Sequence, residues 1–161
     1  MNALPLRLEA HFFTAVVVEP NQRFQPELEA DAEDGIHAEV HLAQHKDNPR
    51  KWSVALEVTS EVPDKNLPYK INLECMGFFE VAPEVEEKQA PMLVRTNGAS
   101  ILYSSAREFL LLITGRGPWG PFYLPTKNFL KPFRAEEEKA PPTRTRKPAP
   151  KKRKLKTRPA S

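Results

Sequence analysis

The chain has 161 residues, 40% of them hydrophobic, and a formal net charge of +3 at pH 7. This length predicts one domain, and no stretch approaches the eighteen or so apolar residues that a membrane-spanning helix needs. The single cysteine excludes an internal disulfide framework and favours a reducing compartment, so we expect a cytoplasmic protein.

The net charge hides two regions of opposite sign. Residues 1–133 contain 13 Lys and Arg against 18 Asp and Glu, which is −5, and residues 134–161 contain 11 against 3, which is +8. The second region is rich in Pro, Lys and Arg and cannot bury enough apolar surface to offset the entropy of ordering. We therefore predict a folded domain over residues 1–133 and a disordered basic tail over residues 134–161.

Alternating apolar residues predict four strands in the first half of the chain. A period of two with one polar face is typical of an antiparallel sheet that is half open to water or to a partner. The link after the first strand contains two prolines, which suggests a bend and a short extra strand over Leu28–Asp31. The apolar positions are Leu8, Ala10, Phe12, Val16 and Val18, then even positions from Ile36 to Leu42 and from Trp52 to Val58, then odd positions from Leu67 to Cys75.

The period changes after Pro91, where apolar residues up to Ile113 fall on one helical stripe. Gly115 and Gly117 are candidates for the C-cap, and the following proline prevents continuation. Gly98 inside the helix costs about 1 kcal/mol relative to Ala, which predicts that another backbone approaches closely there. The predicted fold is α+β, a four-stranded antiparallel sheet with a long helix packed on one face.

The histidines and the cysteine, which are residue types common in active sites, do not occur in a pattern that predicts catalysis or metal binding. His37 and His41 share a strand face, but four residues of strand span about 13 Å, too far for one metal ion. Cys75 lies on an apolar face without a recognisable histidine partner, which predicts a buried, inert thiol. There is no phosphate-binding loop and no GxSxG motif. We expect a protein that is not an enzyme and uses neither a cofactor nor a metal.

Apolar residues beyond those needed for one sheet and one helix remain to be placed. Met76 and Phe78 make the other face of the fourth strand apolar, and the segment after the helix is rich in aromatic residues from Trp119 to Phe133. One interpretation is that these side chains close the monomer's core. The other is a groove that is open to extended, unfolded chains, because soluble proteins rarely expose large apolar patches without a use.

The helix and the segment after it carry a family resemblance. The order Ile101, Leu102, Ala106, Arg107, Glu108, then Arg116 and Gly117, then Leu124, Asn128 and Phe129 resembles the signature of SecB, the tetrameric bacterial export chaperone. Two shorter stretches, Gln25-Pro26-Glu27-Leu28 and Gly77-Phe78-Phe79, agree with it. The resemblance covers roughly residues 8–130.

This resemblance implies an ATP-independent chaperone (holdase) that binds unfolded precursor proteins for export through the Sec translocase. It implies dimers whose helices stack into a homotetramer, and a peptide-binding groove lined by alternate residues of the fourth strand and by the loop after the helix. It also implies that acidic residues on the polar sheet face, here Glu39, Glu57 and Glu74, dock the SecA motor. With the apolar residues that end the fourth strand, the predicted peptide-binding set is Ile71, Leu73, Cys75, Met76, Phe78, Trp119, Phe122 and Leu124.

Departures from the family's pattern keep other functions open. Ser104 and Ser105 stand where members usually carry a proline and an aromatic residue, and the basic tail is foreign to the family. One alternative is a dedicated chaperone of a single client, such as an antitoxin. Another is a nucleic-acid-binding protein that acts through its tail, although no aromatic residue there could stack on bases. The tail can contact an acidic partner, nucleic acid, anionic lipid or the protein's own acidic domain.

Overall fold

The computed structural model describes residues 4–62 and 64–130, which contain one four-stranded sheet. Its strands are β1, Leu6–Pro20; β2, Ile36–Gln44; β3, Lys51–Ser60; and β4, Tyr69–Val81. Their spatial order is β1-β4-β3-β2, and every neighbouring pair is antiparallel. The predicted sheet is confirmed, with β1 and β2 as its two edges. The predicted tail lies outside the described residues.

The link between β1 and β2 differs from its prediction. It contains no strand over Leu28–Asp31; instead, a single helical turn, α1, covers Ala32–Gly35. The side chain of Asn66 satisfies the backbone of this link, because its Oδ1 accepts from Gln25 N and its Nδ2 donates to Gln25 O, both at 3.0 Å. A side-chain amide therefore replaces the strand pairing that we expected.

β1 contains two irregularities that redistribute its side chains. The register shifts between Leu8 and Ala10 and again between Phe13 and Ala15. Each extra residue reverses the alternation of a strand. Leu8 therefore lies opposite buried Phe79, whereas Phe12 lies on the other face of the sheet. The prediction that Leu8, Phe12 and Val18 share one face with Ala10 and Val16 is wrong.

The helix extends one residue further at each end than the predicted range, Pro91–Ile113. It consists of α2, Ala90–Leu93, a π-helical turn, Val94–Gly98, and α3, Ala99–Thr114. Gly98 faces the sheet, where a Cβ atom would lie 3.1 Å from Val54 Cγ2. The predicted close approach exists, but its partner is a side chain of β3 and not a second backbone.

The core lies between the helix and one face of the sheet. The helix-facing residues of β3 and β4 are buried along the whole length of both strands. α3 contributes the buried stripe, and the segment after it adds two residues. The members on these elements are Trp52, Val54, Leu56, Val58, Tyr69, Ile71, Leu73, Cys75, Phe79, Val81, Leu102, Tyr103, Ala106, Leu110, Phe122 and Leu124, and Ile36, Leu67, Ala90 and Val94 join them from neighbouring parts of the chain.

Candidate functional site

The predicted peptide-binding residues of β4 divide between the two faces of the sheet. Ile71, Leu73 and Cys75 face the helix and are almost completely buried. Met76 and Phe78 lie on the opposite face, which we call the outer face, and 40% of Phe78 is exposed. Strand alternation separates these two groups, so they cannot line one continuous groove.

Tyr69 fixes the segment that follows the helix. Its hydroxyl donates to Gly120 O at 2.9 Å and accepts from Trp119 N at 3.2 Å. A Cβ atom at Gly117 would overlap this hydroxyl, which explains the glycine. Trp119 Nε1 donates to Asn21 O at 3.1 Å, so the indole rests on the chain that leaves β1, with 37% of its surface exposed.

Phe122 and Leu124 close the core instead of lining an open site. Thr114 Oγ1 accepts from Phe122 N at 2.8 Å and donates to Leu110 O, which turns the chain back along the helix. Both side chains are buried as a result. Of the eight predicted peptide-binding residues, five are therefore inside the core, and only Met76, Phe78 and Trp119 are placed where a bound chain can touch them.

Two exposed aromatic residues were missing from the predicted set. Phe12 of β1 lies beside Phe78 on the outer face, with ring centroids 6.1 Å apart and half of its surface exposed. Tyr123 points to solvent between the two buried residues that precede and follow it. The alternation of residues after the helix could have predicted that Tyr123 is exposed. The face on which Phe12 lies could not be predicted in this way, because the bulges in β1 change the alternation of that strand.

The thiol of Cys75 is protected by the same packing. Burial raises its pKa to about 11, because the charged thiolate has no water around it in the core. The thiol is therefore neutral at physiological pH and out of reach of reagents, as the sequence predicted.

The three predicted docking carboxylates form a row across the outer face. Glu39 lies directly opposite Glu57 in the β2–β3 register, and Glu57 lies directly opposite Glu74 in the β3–β4 register. Neighbouring strands are about 4.8 Å apart, so three like charges follow one another at short intervals. Glu57 and Glu74 have no Lys or Arg partner within the described part of the chain, and Glu39 has only His41, at 3.8 Å.

The histidines take part in local polar contacts. His37 Nε2 lies 2.9 Å from Glu61 Oε1, and His11 Nε2 lies 2.9 Å from Ser105 Oγ, which ties the edge strand to the helix. Over residues 4–62 and 64–130, no group of three or more His, Cys, Asp or Glu side chains is placed to hold a metal ion. No helix in that part of the chain is long and apolar enough to cross a membrane.

The family model described as preprotein translocase subunit SecB matches residues 8–140. The chain belongs to the SecB family. The four-stranded sheet and the helix on one of its faces agree with this membership, and a chaperone role follows from it. No curated protein matches the chain.

Two solved structures resemble the SecB-family chain described above. The Mycobacterium tuberculosis Rv1957 SecB-like chaperone, in complex with a ChAD peptide from the Rv1956 HigA1 antitoxin, superposes with a TM-score of 0.57 at 15% identity, covering 77% of this chain and 91% of that one. A protein of unknown function from Streptococcus agalactiae gives a TM-score of 0.42 at 14% identity, covering 78% of this chain and 100% of that one. The first likeness shows the fold.

Proposed function

We propose that this protein is an ATP-independent holdase that keeps preproteins unfolded for export through the Sec translocase. The observation that carries the proposal is the SecB match over residues 8–140. Exposed aromatic side chains on a well-packed domain support it, because they can bury apolar parts of an unfolded chain without a defined partner sequence.

Two exposed surfaces are the candidates for client contact. The first is the outer-face patch of Phe12, Met76 and Phe78, and the second is the segment that carries Trp119 and Tyr123. Burial of apolar surface stabilises a complex by roughly 25 cal/mol per Å², so several such contacts along an extended client add up to useful affinity. The predicted contacts at Ile71, Leu73, Cys75, Phe122 and Leu124 would require the core to open.

Suppression of aggregation tests this proposal. We expect the full chain to slow the aggregation of a reduced, unfolded client in the absence of nucleotide, as followed by light scattering. The variant Phe78→Ala should weaken suppression on one surface and Tyr123→Ala on the other, while Leu28→Ala, an exposed leucine of the β1–β2 link, serves as the control. If neither substitution differs from the control, client binding lies elsewhere.

The range of clients separates general export from a dedicated role. A likeness to a chaperone that was solved with an antitoxin peptide favours the dedicated alternative as the second candidate. A general holdase should protect several unrelated unfolded proteins and bind SecA. A dedicated chaperone should protect one client and leave the others to aggregate.

We further propose a homotetramer that assembles through α3. Ile101, Leu112 and Ile113 are exposed on this helix, and 70% of Leu112 is open to water. Light scattering should return four times the chain mass of 18.3 kDa, and Leu112→Glu should reduce that mass. A stable monomer of the parent protein at micromolar concentration would contradict the assembly. Gly98 lies outside this contact, since it packs against the sheet of its own chain.

A further inference from the structure

The outer face of the sheet combines an acidic row with an apolar patch and has no cover in the described part of the chain. We propose that the basic segment of this same chain, residues 144–158, docks there. This segment contains nine Lys and Arg residues and no Asp or Glu. The positive charge of this segment is attracted to the negative charge of the row. This docking does not depend on chaperone activity.

The row needs a cationic partner more than the other acidic parts of the domain do. Like charges directly opposite on neighbouring strands are destabilising, and the structure places Glu57 between two such neighbours. The acidic link of residues 27–34 is partly neutralised already, because Asp31 pairs with Lys65 at 3.6 Å and also caps α1. The carboxylates of Glu57 and Glu74 have no comparable basic neighbour.

The segment also has an apolar residue that suits the patch. Leu155 stands alone among Lys and Arg side chains. On the outer face, Met76 follows Glu74 by two residues and Phe78 by four, so the patch begins about 7 Å along β4 from the row. A chain that places its lysines on the row can therefore place Leu155 against Met76 and Phe78.

The tether is long enough for this contact. The last described residues lie on the β2 side of the helix layer, where Phe129 packs against Tyr103 and Lys127 Nζ donates to Glu33 O, just before β2. From there the outer face is reached around the β2 edge, across one layer of about 10 Å and two strand spacings of about 4.8 Å. The thirteen residues from 131 to 143 span up to about 43 Å when extended, and about 20 Å on average as a flexible chain.

Docking in this position would make access to the outer face depend on the salt concentration. A bound tail covers the carboxylates that a cationic partner would use, so tail and partner would compete for one surface. Exposed charge pairs are screened when the Debye length falls, to about 8 Å at physiological ionic strength and about 3 Å at 1 M. The outer face should therefore be covered at low salt and open at high salt.

Methionine methyl groups provide the test in the full chain. A spin label attached to Thr157→Cys reports where the segment lies, and buried Cys75 stays unlabelled because its thiol is covered in the native fold. With ¹³C-methyl methionine, Met76 reports on the outer face and Met92, which is exposed on the helix, serves as the internal control. At low salt we expect the Met76 signal to lose at least half of its intensity and the Met92 signal to keep it.

Two charge variants with the spin label separate the acidic surfaces. Glu39→Gln, Glu57→Gln and Glu74→Gln together should restore the Met76 signal at low salt, as 1 M salt should in the parent. The matched set Glu27→Gln, Glu29→Gln and Glu33→Gln should not. The proposal is overturned if Met76 keeps its intensity, or if the loop variant restores the signal instead.

A mixed sample identifies the owner of the segment. Spin-labelled chains without ¹³C are combined with ¹³C-methionine chains without the label. A loss of Met76 signal in this sample equal to that in the doubly labelled chain would assign the segment to a second copy and overturn docking within one chain. If Met76 shows no loss while the spin label becomes immobilised on added duplex DNA or anionic vesicles, the segment serves one of those partners and the proposal fails.

Discussion

The two faces of the sheet are built from the same strands, but one face is buried under the helix and the other is open to solvent. On the helix-facing side, β4 contributes side chains that are buried from Tyr69 to Val81, and Gly98 lets the helix approach closely. On the outer side, the same strand presents Glu74 and Phe78 to solvent and leaves Met76 half-buried. One face therefore carries the stability of the domain, and the other can change its side chains without loss of the fold.

The neighbours Phe78 and Phe79 give the sharpest test of this difference. Phe79 is completely buried, so Phe79→Ala should destabilise the protein by about 3–5 kcal/mol through lost burial and a cavity. Phe78→Ala should cost less than about 1 kcal/mol, because its ring stays partly in water in the native state. Urea unfolding of both variants measures the contrast. Equal changes in the midpoint would show that the outer face also carries stability.

The sequence predicts this contrast only in part. Strict alternation in β3 and β4 identifies which residues share a face, and the change of period after Pro91 locates the helix, because both patterns depend on local geometry. Alternation alone does not say which face is covered, since that depends on how the helix and the segment after it pack. The family resemblance placed Phe122 and Leu124 in a peptide-binding groove. In the structure, the hydrogen bond from Phe122 N to Thr114 Oγ1 turns this segment towards the core, and both side chains are buried.

Cys75 offers a second test, which depends on pH. The thiol has a pKa of about 11 in the folded protein against 9.0 as its ordinary value, because burial disfavours the thiolate. The folded state then holds its proton more tightly than the unfolded state, so this contribution is complete below pH 9 and is lost as the pH rises towards 11. Two pKa units correspond to on the order of 2–3 kcal/mol.

The measurement is the free energy of unfolding at several pH values from 8 to 11. Cys75→Ala should remove the part of the pH dependence that the thiol causes, while Tyr103 remains as a source of alkaline destabilisation in both proteins. Burial raises the pKa of Tyr103 to about 12, and the nearby charge of Arg107 opposes that rise. If Cys75→Ala leaves the slope unchanged, the thiol is reached by water in the native state.

The contact between Tyr69 and Gly117 gives a third, smaller effect. Tyr69→Phe should cost about 1–3 kcal/mol, because Trp119 N and Gly120 O lose their hydrogen-bond partner. Gly117→Ala should cost a similar amount, since its Cβ atom would overlap the tyrosine hydroxyl. In the double variant the two costs should not add, because the hydroxyl that causes the overlap is gone. As the control, Tyr69→Phe and Phe78→Ala, which share no contact on opposite faces, should be additive.

The row on the outer face shows what local pattern cannot reveal about a surface. Each of its carboxylates occupies an ordinary polar position of its own strand. Only the register of three strands places Glu39, Glu57 and Glu74 side by side. The turns that connect these strands help to set that register, and the alternation within one strand does not say which residue of the next strand lies opposite.

Glu57→Gln provides the smallest expected effect, and its sign is unusual. Because the central carboxylate faces two like charges, its removal should stabilise the folded domain by about 0.2–1 kcal/mol at low salt and by less at high salt. Glu80→Gln is the matched control on the same face: Glu80 lies opposite Lys51 and pairs with Arg7, so its neutralisation should be neutral or destabilising.

Urea midpoints measured in a chain that ends at residue 133 isolate the effect of Glu57→Gln from the basic segment. In the full chain at low salt, the gain from Glu57→Gln should shrink if residues 144–158 already neutralise the row, and an equal gain in both chains would mean that the row stays uncovered.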